Sequence, residues 1–89
     1  MKIKLVCNDG AYYSDGKLLT PERSQKLRNH SPDGFNHGYG GSGPSQLALA
    51  ILLEIFSEKI AEENYQDFKW KEIATLPKEN FEKEITINF

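Results

Sequence analysis

The chain has 89 residues, too few for more than one hydrophobic core, so a single domain spanning residues 1–89 is expected. Its 38% hydrophobic and 11% aromatic content is that of a folded globule rather than a disordered chain. A formal charge of −2 argues against general DNA or RNA binding, and the lone Cys7 excludes an internal disulfide, a zinc knuckle and a CxxC redox pair.

A reduced, cytoplasmic setting fits this cysteine usage. The longest apolar run, Leu47 to Leu53, is far short of the roughly 20 residues of a membrane helix, and Met1-Lys2-Ile3-Lys4 lacks a signal-peptide core. No membrane association is expected. Charge is unevenly spread: residues 1–53 carry six Lys/Arg against four Asp/Glu, whereas residues 54–89 carry five against nine. The basic half contains the glycine-rich loop described below, which permits a local anionic ligand.

From Lys2 to Cys7, Ile3, Leu5 and Cys7 alternate with Lys2, Lys4 and the exception Val6, the pattern of a strand with one buried face. Asn8-Asp9-Gly10 supplies a turn, Ala11-Tyr12-Tyr13-Ser14 is rich in strand formers, and Asp15-Gly16 favours a tight hairpin before Lys17-Leu18-Leu19. Thr20-Pro21-Glu22-Arg23 predicts no more than one capped helical turn. Asn29 to Gly43 holds five of the seven glycines and reads as a loop.

The next helix is the clearest element, with Gly43 as N-cap, Pro44 in the first helical position and Gln46 three residues after the cap. Between Leu47 and Phe56 only Glu54 is polar, so the helix is apolar nearly all round and must be covered on several faces. In so short a chain that coverage points to a homo-oligomer. A second helix is expected from about Ser57 to Thr75, with Ala61, Tyr65, Phe68 and Ile73 on one side, ended by Pro77. The tail from Phe81 to Phe89 alternates at its end and reads as a terminal strand. The expected fold is therefore α+β: a small antiparallel sheet of N-terminal hairpins plus the C-terminal strand, packed on two helices, the first largely buried.

Gly38-Tyr39-Gly40-Gly41-Ser42-Gly43 satisfies G-x-G-x-x-G and opens a helix, but no hydrophobic strand precedes it and the chain is too short for a dinucleotide-binding sheet. It also approaches a phosphate-binding P-loop, except that Pro44 stands where that loop needs lysine. What remains is an exposed helix N-terminus with free amides, partial positive charge and glycines that let a ligand approach the backbone. Ser42 and Ser45 add hydroxyls. The alternative is that the glycines only let the loop pass close to another element and enter the helix sharply.

His30 and His37 flank the loop, but no His-x-x-x-His or Glu-x-x-His pattern accompanies them, so no metal site is expected. Gly41-Ser42-Gly43 lacks the strand that precedes a nucleophilic serine elbow, and no catalytic residue is assigned. Tyr12, Tyr13, Phe35 and Tyr39 offer faces for stacking a base. Trp70, between Lys69 and Lys71, falls outside the apolar stripe of the second helix and marks either a partner surface or the rim of the core.

The stretch His30-Ser31-Pro32-Asp33-Gly34-Phe35, followed by Gly38-Tyr39-Gly40-Gly41-Ser42-Gly43-Pro44-Ser45-Gln46-Leu47-Ala48-Leu49-Ala50, resembles a small bacterial and phage family of unknown function with the signature S-P-x-G-F-x-x-G-Y-G-G-S-G-P-x-Q-L-A-L-A. The resemblance extends over roughly residues 12–77 and departs at Asn36-His37, where the family pattern has Glu-Trp. It implies a self-contained module carried on mobile or phage genomes, acting in the host cytoplasm and inhibiting or sequestering host components.

Together these features lead to the expectation of a non-enzymatic protein, without cofactor, that captures a small anionic, nucleotide-like ligand as a phage anti-defence sponge. The candidate ligand-binding residues are Arg28, His37, Tyr39, Gly40, Gly41, Ser42, Gly43 and Ser45. The alternative is an inhibitor or adaptor that binds a host protein through Trp70, the acidic second helix or an exposed strand edge.

Overall fold

Local chemistry sets the sheet. The computed structural model describes residues 1–89, and in it the alternating N-terminal segment is strand β1 (Lys2–Asn8), joined by Asp9-Gly10 to β2 (Ala11–Ser14), which Asp15-Gly16 joins to β3 (Lys17–Leu18). Both two-residue turns have positive φ at each position: Asp9 50° and Gly10 84°, then Asp15 49° and Gly16 81°. These left-handed turns match the twist of paired strands, which is why Asp-Gly specifies a hairpin. The C-terminal strand β4 (Phe81–Thr86) pairs antiparallel with β1, giving the order β3-β2-β1-β4.

Register puts Ile3 opposite Ile85 and Cys7 between Tyr12 and Phe81, so one face of the sheet is apolar. The other face is solvated and carries the ion pairs Lys2–Glu84 (3.5 Å) and Lys4–Glu82. Such solvent-exposed pairs contribute little to stability. They nonetheless place charge along the β4 edge.

Against the apolar face lie α1 (Glu22–Leu27), α2 (Ser42–Leu53) and α3 (Glu58–Phe68), the last continued by one π-helical turn (Lys69–Ile73). The fold is α+β, as the pattern of elements implied. α1 is longer than the single turn expected and starts after Pro21 rather than being capped by Thr20. Ser57 caps α3 by accepting from the Ile60 amide at 3.3 Å.

α2 begins two residues earlier than its sequence suggests. Gly41, not Gly43, is the N-cap, and Pro44 occupies the third helical position. Proline is tolerated there for the same reason as at the first position: its missing N–H is one of the four that a helix start leaves unpaired. Every residue of α2 from Gly43 to Leu53 is buried within this one chain, covered by the sheet, α1, α3 and the π turn. The helix that suggested a homo-oligomer is thus satisfied internally, and its apolarity gives no reason to invoke a second copy.

The π turn resolves a spacing problem in the apolar stripe. Ala61, Tyr65 and Phe68 follow helical spacing, but the next buried apolar residue, Ile73, is five positions on. In an α-helix five residues would carry Ile73 about 140° away from Phe68. The wider turn, closed by the Ala74 amide on the Lys69 carbonyl at 2.8 Å, returns Ile73 to the core.

Candidate functional site

The loop between α1 and α2 is held at its start by Gln46, a fully buried side chain on α2. Its Oε1 accepts from the amides of His30 (2.7 Å) and Ser31 (3.0 Å). Its Nε2 donates to the Ser24 hydroxyl (2.8 Å) and the Arg28 carbonyl (3.0 Å). All four hydrogen-bonding positions of the amide are used. His30 is then tied to Tyr65 on α3, Nε2 to hydroxyl at 2.6 Å.

The middle of the loop folds inward. His37 is only 6% exposed and lies between the Tyr12 hydroxyl, 2.6 Å from Nδ1, and the Glu79 carbonyl, 3.0 Å from Nε2. A carbonyl only accepts, so Nε2 carries the proton; in the neutral ring Nδ1 accepts from Tyr12. Phe81 and Phe35 complete an aromatic cluster, at 4.8 Å from the His37 ring and 5.8 Å from the Tyr12 ring respectively. Burial, reinforced by the neighbouring Cys7, holds the Tyr12 phenol well above its ordinary pKa. His37 therefore serves the interior of the fold and is not at the surface where a ligand would sit.

Past His37 the loop turns out along the π turn. Gly38, at φ 81°, donates its amide to the Ile73 carbonyl at 3.0 Å. Gly40 lies directly against Trp70: a Cβ there would come within 2.1 Å of the indole Cη2. No other residue type permits that approach. Two features that looked separate in the sequence, the glycine loop and the lone tryptophan, thus form one surface. Tyr39 and Trp70 on it are 45% and 57% exposed.

At the start of α2, Gly41 offers no side-chain cap and no acidic residue occupies the first turn. With Pro44 lacking an N–H and the Ser45 amide bonded to the Gly41 carbonyl, the amides of Ser42 and Gly43 have no protein partner. Ser42 is exposed and its hydroxyl is unengaged; Gly43 is buried against Asn36.

Of the eight candidate ligand residues, Tyr39, Gly40 and Ser42 reach the surface together, with Gly41 half-buried between them. Ser45 is 4% exposed, its hydroxyl directed to Gln66 Oε1 at 3.4 Å, so it is not available at that surface. Arg28 stands apart, its guanidinium neutralised by Glu62 at 2.6 Å. Gly41 has φ −125°, an extended conformation open to any residue, so no left-handed backbone requires glycine there.

Sequence reasoning set Trp70, between Lys69 and Lys71, apart from the loop as a partner surface or the rim of the core, and so left it and Lys69 out of the ligand site. Lys69 is 6% exposed overall, and its ammonium lies 4.2 Å from the centroid of the Trp70 ring. The available signal was the five-residue step from Phe68 to Ile73, which an unbroken helix cannot accommodate.

Three surface concavities lie elsewhere: between β3 and α1, between α3 and the C-terminal residues, and between β2 and Asp33–Phe35. No group of three His, Cys, Asp or Glu side chains converges anywhere, and no helix is long and apolar enough to cross a membrane. Neither the curated proteins nor the solved structures include a match to this chain. A family model does match, over residues 6–88, and the chain belongs to that family, described as a family of unknown function (DUF6166).

Proposed function

We propose that this protein is a non-catalytic binding module that takes a small anionic, nucleotide-like ligand on the surface formed by Tyr39, Gly40, Ser42 and Trp70. One observation carries the proposal: the exposed indole of Trp70 rests on Gly40 beside a helix start whose first amides are unpaired. An aromatic platform suits a base, and free amides at the positive end of a helix suit a phosphate. The resemblance to a bacterial and phage family suggests the setting, sequestration of a host signalling nucleotide in the host cytoplasm.

Trp70 is the only tryptophan, so its emission reports on this surface alone. Titration with a panel of linear and cyclic nucleotides should give a saturable change in emission with at least one, confirmed by equilibrium dialysis. Failure of every nucleotide in both assays would remove this function.

A second function is favoured by the openness of the surface, since none of the concavities is lined by Tyr39 to Ser45. Exposed Trp and Tyr side chains on open ground are the residue types that anchor protein partners. On that account the protein is an inhibitor or adaptor. Pull-down of one stoichiometric host protein, lost on Trp70→Ala and indifferent to nucleotide, would establish it in place of the first.

A further inference from the structure

We infer that Lys69 is the anion-facing cation of this surface and that the ligand carries a phosphoryl-type oxyanion, an inference that rests on the ligand-binding function proposed above. Lysine is rarely covered to this extent without a carboxylate partner. Lys69 is 6% exposed, yet neither a salt bridge nor a hydrogen bond engages its ammonium. No buried side-chain nitrogen or oxygen in the protein lacks a partner, so the Nζ atom must itself touch solvent. The side chain is thus largely packed away while its ammonium keeps contact with solvent.

That tip is presented at the glycine loop. The ammonium lies over the Trp70 ring, and the benzo edge of the same ring rests on Gly40, one residue before the N-cap of α2. Gln66, one turn earlier on α3, touches Ser45 on α2, so this side of α3 and the π turn runs along the first turn of α2. A cation and a helix start whose exposed Ser42 amide is unpaired therefore both adjoin one indole. Both attract negative charge, and both lack a counter-ion in the fold. The π turn is what allows this: it departs from the α-helical path at Lys69, with Trp70 set against the loop and the Lys69 ammonium over the Trp70 ring.

The test uses Trp70 emission with three probes: inorganic pyrophosphate, adenosine monophosphate and adenosine. Pyrophosphate and the monophosphate should bind saturably, the monophosphate at least tenfold more tightly than adenosine. Lys69→Met, which keeps the buried stem, should weaken both phosphorylated probes at least tenfold and leave adenosine unchanged. Lys69→Arg should restore most of the loss, and Lys71→Met should change nothing. If adenosine and its monophosphate bind equally and Lys69→Met is silent, the Lys69 inference falls while base binding stands; if no probe binds, both fall. Should Lys69→Met fail to fold, the wild-type protein decides: pyrophosphate should protect Lys69, and not Lys71, at least fivefold from an amine-acylating reagent, read by peptide mass spectrometry. Equal labelling with and without pyrophosphate overturns the inference.

Discussion

The two ends of the loop that joins α1 to α2 are built on opposite terms. At its start, Gln46 gathers the amides of His30 and Ser31, the Ser24 hydroxyl and the Arg28 carbonyl, and no polar group is left over. At its end, the exposed Ser42 has neither its amide nor its hydroxyl bonded within the protein, and the Lys69 ammonium has no hydrogen-bond or ion-pair partner, only the Trp70 ring. Buried polar networks of the first kind fix a backbone, because any unmade bond in a low-dielectric interior is costly. Unpaired groups at a surface of the second kind are free for a ligand. A glycine-rich signature thus contains one part that holds the loop and another part that is left open.

The largest expected effect comes from breaking the closed end. Gln46→Ala should cost about 3–5 kcal/mol in urea unfolding, since it strands several buried donors and acceptors at once. That is as much as Leu49→Ala, a fully buried core truncation worth about 2–5 kcal/mol. If Gln46→Ala costs less than 1 kcal/mol, the closed network is not what anchors the loop.

A smaller effect reads the buried pair beneath the loop. Because Tyr12 ionises above its ordinary value when folded, its contribution is fully present below the unfolded pKa of about 10 and is lost as pH rises toward the folded value. Stability should fall by about 1.4 kcal/mol per pH unit from this residue above pH about 10. Tyr12→Phe should remove that part of the slope. Equal slopes for both proteins would show that Tyr12 is not sealed by His37 and Phe35.

The open end should respond in binding rather than stability. In Gly40→Ala, the added methyl must displace the Trp70 ring, whose far edge is free to swing. Unfolding should shift by less than about 1 kcal/mol while Trp70 emission changes and ligand response is lost. A loss of stability as large as that of Gln46→Ala would mean Trp70 serves packing instead. Gly41→Val should be the mildest of all: at φ −125° a β-branched residue is at ease, and only the half-exposed Tyr39 ring stands in the way. A cost above 2 kcal/mol would contradict that.

Each part of the molecule was legible to the degree that its chemistry is local. The Asp9-Gly10 and Asp15-Gly16 turns, the alternation of Ile3, Leu5 and Cys7, and a helix start near Ser57 all rest on chemistry within a few residues, and each appears where its pattern places it. The start of α2 was misplaced by two residues because proline tolerates several first-turn positions, and what selects Gly41 is the packing of Gly43 on Asn36. His37 was expected among the ligand-binding residues; its burial depends on Tyr12 and Glu79, 25 and 42 residues away.

The sequence by itself determined the hairpins, a strand at each end of the sheet's longest pairing, and one helix too apolar to face water, because propensity, turn chemistry and hydrophobic period are short-range properties. Only the tertiary structure decided what the glycine loop touches. Whether a loop glycine serves a ligand or a neighbour depends on which side chain arrives from elsewhere, and here a five-residue step in a distant helix brings Trp70 and Lys69 to it. The identity of that neighbour is set by the packing of α3 on α2, which no window of the sequence around the loop contains.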